Sequence, residues 1–273
     1  MLTILYTISG SSAQPAVVAL LGLGEAGSAI AADLVAAGAA VRGWDPAGPD
    51  APEGMQVAAG DQEAVRGADA VLSVNSASVA VAAAESVAPA LPAGAVYADL
   101  NTGAPGLKRA VAKALAASGA RFADVALLGP VPGHGLRTPA LVSGPGAEPF
   151  VQLFGGMGMP ATVVGSEPGD AAARKLTRSV FAKGLAAAVG ESLEAAERLG
   201  CADWLHDELE RTLVQADGAL LDRLIDGSRR HSARRAEEMA AAVAMLVKLG
   251  VEPRVAAASQ AWLRSLPGNE APR

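Results

Sequence analysis

Short apolar runs alternate with helix-period segments as far as residue 165, and beyond that point the strand-length runs stop. The first run, 16–21, has the length and branching of a buried strand. A glycine-rich turn follows at 22–27, then a stretch of good helix formers at 28–35 that ends near Gly38. The same alternation predicts strands at 39–44, 70–74 and 95–99, separated by helices at 61–65 and 79–90. A helix at 107–118, closed by Gly119, precedes further strand-length runs at 121–127, 140–143 and 162–164. This order predicts an α/β, doubly wound and mostly parallel sheet with helices on both faces. Ligands of such sheets bind beyond the carboxyl ends of the strands, where Asp45, Val74, Asn75, Ser76 and the segment after Asp99 all fall.

From residue 167 the pattern is helical throughout. Glu167-Pro168-Gly169-Asp170 is a helix-start signal with Asp170 as a plausible cap. Residues 171–199 contain no proline and predict a helix about 45 Å long. Further helices are expected at 203–216, 219–224, 232–249 and 253–266. A helix this long buries more than one face or bridges two bodies. With its alanine-rich surface it predicts a homodimer, with Ala186 to Ala188 and Ala195-Ala196 as candidate contacts.

Gly22-Leu23-Gly24-Glu25-Ala26-Gly27 reads GxGxxG between a strand and a helix. The first glycine permits the tight turn, and the second lets backbone approach a pyrophosphate. The third lets helix and strand pack closely, with the helix N-terminus facing the phosphates. Asp45 ends the next strand about 20 residues on, where a carboxylate accepts from a ribose hydroxyl. It would repel a 2′-phosphate and no arginine follows it closely, so NAD is expected, with NADP as the alternative. A turn role before Pro46 is the other reading of Asp45. The expected organisation is an extension at 1–14, an NAD-binding Rossmann-type domain at 15–167, an all-helical substrate and dimerisation domain at 168–267, and a tail at 268–273.

Composition narrows the partners. Only 18% of residues are charged and 51% are apolar, which excludes a disordered chain. A net charge of −6 gives no overall basic footprint for nucleic acid, and no apolar run is long enough to predict a membrane span. Cys201 is the lone cysteine, and His134, His206 and His231 show no metal-ligand spacing, so no metal is expected. A cytoplasmic setting fits the single thiol. Residues 1–14 lack a positive leader region and read as a loosely attached extension.

Several segments, in order, resemble the β-hydroxyacid dehydrogenase family, which includes 3-hydroxyisobutyrate and 6-phosphogluconate dehydrogenases. Residues 22–27 resemble its GLGxMG opening, with Ala26 where Met is usual. Asp99-Leu100-Asn101-Thr102-Gly103-Ala104-Pro105 resembles DxSTxxP, and residues 124–130 stand where the family has DAPVSGG. Arg174-Lys175-Leu176-Thr177-Arg178-Ser179 resembles the KxxxN element. Asn101 replaces the family's serine, Leu128 and Pro130 interrupt the Ser-Gly-Gly loop, and Ser179 replaces the asparagine. With Gly129 to Gly133 and Arg234 to Met239 these departures resemble a divergent branch that ends in a domain of unknown function.

The resemblance implies an oxidoreductase of a small hydroxy acid, phosphorylated or plain, with Lys175 as general acid/base. A partly desolvated lysine loses some of its preference for the charged form, which suits that task. Asn101, Thr102, Leu128, Gly129 and Ser179 become the substrate-binding candidates. Asn101 is equally a turn residue, and Ser179 equally a helix-packing one. Arg229, Arg230 and His231 are either phosphate-facing or a solvated helix start. Two other classes stay open: an imine or aldehyde-acid reductase, and a dinucleotide-binding regulator without turnover.

Overall fold

The computed structural model describes residues 14–48 and 51–267; the tail at 268–273 and all but the end of the 1–14 extension lie outside them. The first half runs β1 Val17–Leu21, α1 Glu25–Ala36, β2 Ala40–Trp44, β3 Gln56–Val57, α2 Asp61–Val65, β4 Ala70–Ser73, α3 Ala80–Val87 and β5 Val96–Asp99. Then come α4 Pro105–Ala114, β6 Arg121–Leu127, β7 Ala140–Ser143, α5 Ala147–Gly156 and β8 Ala161–Gly165. The helices α6 Asp170–Leu199, α7 Ala202–Val214, α8 Gly218–Arg230, α9 Ser232–Lys248 and α10 Arg254–Ser265 complete it.

The eight strands form one sheet in the order β3-β2-β1-β4-β5-β6-β7-β8, parallel except where β6 meets β7. Strands β4 and β5 are buried along their whole length, as a sheet covered on both faces requires. On one face Ile30 and Leu34 of α1 and Phe150 and Phe154 of α5 pack against Val18, Leu72 and Val125. On the other, Val65 of α2, Val87 of α3, and Val111 with Leu115 beside α4 pack against Val71, Tyr97 and Phe122. The order reverses beside β1, which places the crevice of a doubly wound sheet at β1 and β4.

Two elements escape the apolar pattern. Strand β3 has two exposed residues and no alternation to read. Helix α5 begins Ala147-Glu148-Pro149 and ends Gly155-Gly156, so breakers hide a helix whose Phe150 and Phe154 are fully buried. Helix α3 stops before the expected 90 because Pro89 tightens its last turn to a 3₁₀ form. Helix α8 runs six residues past the expected 224, to Arg230.

The chain divides into two compact units, the first ending at Thr177 and the second beginning at Arg178, inside α6. The opening of α6 therefore belongs with the sheet, and Ala171 and Ala172 are buried there. The second unit has a small core of Ala195, Leu246, Val251 and Ala256. Glu191 accepts from the N–H groups of Val255 and Ala256 at 2.7 and 2.8 Å, capping α10 from α6. Ala195 and Ala196, two of the candidate dimer contacts, are themselves buried within the unit.

Candidate functional site

The glycine loop has three differently constrained glycines. Gly22 has φ +104° and donates its N–H to the Trp44 carbonyl at 3.0 Å. A Cβ there would sit 2.4 Å from the Val74 carbonyl oxygen, and one on Gly27 would sit 2.0 Å from the Gly22 carbonyl oxygen. Gly24 has ordinary dihedrals and only open space before it. Glu25 and Ala26 open α1, whose N-cap has no side-chain hydrogen bond, so its first N–H groups are available to an anion. These residues fit a bound dinucleotide.

Asp45 Oδ2 accepts from the Leu23 N–H and Oδ1 from the Ala47 N–H, both at 2.8 Å. One carboxylate thus fastens the glycine loop to β2 and shapes the turn after it. Each oxygen retains acceptor capacity for a hydroxyl. Gly22, Trp44, Asp45, Asp61, Asn75 and Ser76 line a cavity of about 360 Å³ beside this loop, a size suited to an adenosine. Val74 bonds back to the Leu21 carbonyl, holding β4 against the loop, and Ser76 pairs with Ser78.

At the end of β5 the polar residues turn inward. Asn101 is buried, and its Nδ2 donates to Asp99 Oδ1 at 2.6 Å, Asn75 Oδ1 at 2.8 Å and Ser73 Oγ at 3.2 Å. The Asp99 carboxylate can only accept, so it fixes which end of the Asn101 amide faces it. The Asn101 side-chain N–H groups are thus engaged by its neighbours, whereas its Oδ1 has no hydrogen-bond partner among the described residues. Thr102 is the exposed member, and its Oγ1 accepts from Lys175 Nζ at 2.9 Å. Lys175 is half-buried; that burial pushes its ammonium below the ordinary lysine range, Lys108 pushes the same way, and Asp124 opposes both.

Beneath this pair lies an ionic cluster that sequence reasoning missed. Asp99 and Asp124 are register partners on parallel β5 and β6, both fully buried. Lys108 of α4, 1% exposed, places Nζ 3.1 Å from Asp99 Oδ2, 3.3 Å from Asp124 Oδ1 and 2.8 Å from the Asp99 carbonyl oxygen. The carbonyl contact is a hydrogen bond, and the two carboxylate contacts are ion pairs. Asp124 Oδ2 accepts from the N–H groups of Gly169 and Ala172 at 3.2 and 3.0 Å, and Ser143 Oγ accepts from Ala171 at 3.0 Å. The start of α6 is therefore capped from the sheet, in addition to anything Asp170 does locally. The missed signal was Lys108 itself, at i, i+3 and i+7 spacing with buried Val111 and Leu115. A lysine within an apolar stripe demands buried carboxylates.

The other candidates are more scattered. Leu128 donates its N–H to Pro139 at 2.7 Å, and exposed Gly129 follows it into the loop after β6. Ser179 is half-buried one turn beyond Lys175, past the division at Thr177. His134 is exposed on a loop that Asp33 of α1 ties down through the Leu136 N–H at 2.8 Å, so this loop is anchored. In the second unit, Arg230, His231 and Arg235 line a cavity of about 350 Å³ with Asp222 and Asp226, and Arg229 is exposed. His206, Asp207 and Glu210 gather within 4.8 Å on α7, all exposed. No helix among the described residues is long and apolar enough to cross a membrane.

Comparison with known proteins agrees with the fold. Residues 17–150 match the NAD binding domain of 6-phosphogluconate dehydrogenase, and residues 196–266 match DUF1932, a domain of unknown function. An uncharacterized 28.5 kDa protein of Methanothermus fervidus is 31% identical over 144 residues, 53% of this chain and 55% of that protein. The chain thus spans about half the length of the curated relative it matches. A conserved protein of unknown function, described as structurally similar to 3-hydroxyacid dehydrogenases, is 27% identical with a TM-score of 0.61. It aligns over 92% of this chain and 96% of its own. A variant imine reductase from Myxococcus stipitatus, solved with NAD+, shares the fold at 20% identity and a TM-score of 0.79, over 92% and 93% of the two chains.

Proposed function

We propose that this chain, which matches the NAD binding domain of 6-phosphogluconate dehydrogenase over 17–150 and DUF1932 over 196–266, is an NAD-dependent oxidoreductase of a small hydroxy acid. The observation that carries this reading is the Lys175–Thr102 hydrogen bond at the carboxyl end of the sheet, with the lysine partly desolvated. NAD, when bound, supplies the hydride acceptor. Lys175 takes the hydroxyl proton as a neutral amine and returns it as an ammonium in the reverse direction. Thr102 Oγ1 holds Nζ in place, and Thr102 is the exposed part of this strand end, open to substrate. A panel of plain and phosphorylated hydroxy acids with NAD, followed by the near-ultraviolet absorbance of the reduced cofactor, tests the reading. Imines belong in the same panel, because the Asn101 N–H groups are engaged by its neighbours, which leaves fewer donors to hold a carboxylate. Turnover of imines alone would replace the alcohol reading.

Asp45 and Asp61 both line the cavity assigned to adenosine, so a 2′-phosphate would meet two carboxylates. NAD is expected to bind at least about tenfold more tightly than NADP, a difference of about 1.4 kcal/mol. Asp45→Asn keeps an acceptor for the Leu23 N–H and should narrow the gap. Fluorescence titration with both cofactors measures it, and a preference for NADP in the unaltered protein would sink the assignment.

The protein is further proposed to act as a homodimer through its second unit. Val180 and Phe181 of α6 are 76% and 68% exposed, and α7 buries none of its residues within the chain. Ala186 and Ala187, exposed beside them, are small enough for close helix approach. Sedimentation velocity at micromolar concentration should give a dimer. Phe181→Glu should shift it to monomer; a monomer before substitution contradicts the proposal.

A further inference from the structure

We infer that Lys108, although buried out of reach of any substrate, is a positioning residue that ties the two halves of the Lys175–Thr102 pair together through Asp99 and Asp124. This rests on the reading of Lys175 as the acid/base residue.

The connection can be followed atom by atom. On one side, Asp99 Oδ1 accepts from both the backbone N–H and the side-chain amide of Asn101, at 3.0 and 2.6 Å, which sets the strand end that carries Thr102. On the other, Asp124 Oδ2 accepts from Gly169 and Ala172, which sets the first turn of α6. Lys175 lies three residues beyond Ala172, on the same side of that helix. The Lys108 ammonium is shared between the two carboxylates. Adjacent parallel strands lie about 4.8 Å apart, so two register-paired carboxylates in the interior would otherwise repel strongly. Lys108 between them offsets that repulsion, and each carboxylate then orients one partner of the pair.

The cluster also sets the charge that Lys175 feels. Lys108 on α4 and Asp124 on β6 act on it with opposite signs, Thr102 accepts from it, and Arg174 and Arg178 flank it on α6. Removing the cation and removing one anion should therefore move Lys175 in opposite directions, which a residue serving packing alone would not do.

The test follows Lys175 directly and needs no substrate. Lysines are labelled by reductive methylation with ¹³C-formaldehyde, and the Lys175 resonance is identified by its loss in Lys175→Arg. Its titration is then compared in the unaltered protein, Lys108→Met, Lys108→Arg and Asp124→Asn. Lys108→Met should raise the Lys175 midpoint by about half a pH unit or more, Lys108→Arg should hold it near its original position, and Asp124→Asn should lower it. NAD titration serves as the check that the Rossmann unit is intact. If Lys108→Met does not fold, Asp124→Asn, which retains an acceptor for the α6 N–H groups, decides by the direction of its shift. An unchanged midpoint in the folded variants overturns the inference. Turnover retained by Lys175→Met would instead overturn the acid/base reading, whatever the midpoints do.

Discussion

Replacing Lys175 by methionine is expected to lower turnover of the best hydroxy acid by about 10²–10⁴-fold, the usual contribution of a positioned acid/base group. NAD affinity should stay within about threefold, because the cofactor loop at 22–27 and the Asp45 cavity make no use of Lys175. Methionine matches the lysine side chain as far as Cε and removes the ionisable group. The pH dependence gives a second signature. In the oxidative direction the reactive form is the neutral amine, so rate rises as pH climbs through the Lys175 midpoint. Burial and Lys108 lower that midpoint, which brings the plateau to a lower pH than an ordinary lysine would allow. In the reductive direction the ammonium is needed, and rate should fall over the same pH interval. Steady-state kinetics in both directions checks the pair of limbs. Retained activity in Lys175→Met, or limbs that do not mirror one another, would remove Lys175 from the chemistry.

The parts of this molecule that were legible in the sequence are those whose constraint is local. The 16–21 run, the glycine turn and Asp45 reappear as β1, a loop with φ +104° at Gly22, and a carboxylate on the Leu23 N–H. Each follows from a few contiguous residues and the period of a strand or helix. The substrate end was legible only as a list of positions. Asn101 was placed correctly at a strand end, but whether its amide faces substrate or interior depends on Ser73, Asn75 and Asp99, contributed by two strands. Lys108 stands on the apolar stripe of Val111 and Leu115, a local signal, but its partners are carboxylates that β5 and β6 bring beneath it. Asp170 looked like the cap of α6, but the accepting atoms include Asp124 Oδ2 and Ser143 Oγ, 48 and 28 residues from the N–H groups they serve. Pattern fixes an element's identity; pairing across the sheet fixes what its side chains do.

The same division can be tested within the glycine loop, where three identical residues should respond differently. Gly27→Ala would place a methyl carbon 2.0 Å from the Gly22 carbonyl oxygen, in backbone that β1, β4 and α1 hold on all sides. Relief requires α1 to move away from the sheet, so a loss of about 2–4 kcal/mol is expected, as for other overpacked or strained core sites. Gly22→Ala adds an unfavourable φ of +104° to a 2.4 Å approach to the Val74 carbonyl and should be at least as damaging. Gly24→Ala is the informative contrast. Its φ of −65° and ψ of −170° suit any residue, and no atom lies within 4 Å of the added carbon. The fold therefore gives no reason for glycine there; the approach of a pyrophosphate to the N-terminus of α1 does. Thermal unfolding should leave Gly24→Ala within about 1 kcal/mol of the unaltered protein, whereas NAD affinity should fall by at least about tenfold. Undiminished NAD binding by Gly24→Ala would mean that the dinucleotide does not cross the loop at this residue, and the assignment of residues 22–27 as the pyrophosphate cradle would fail with it.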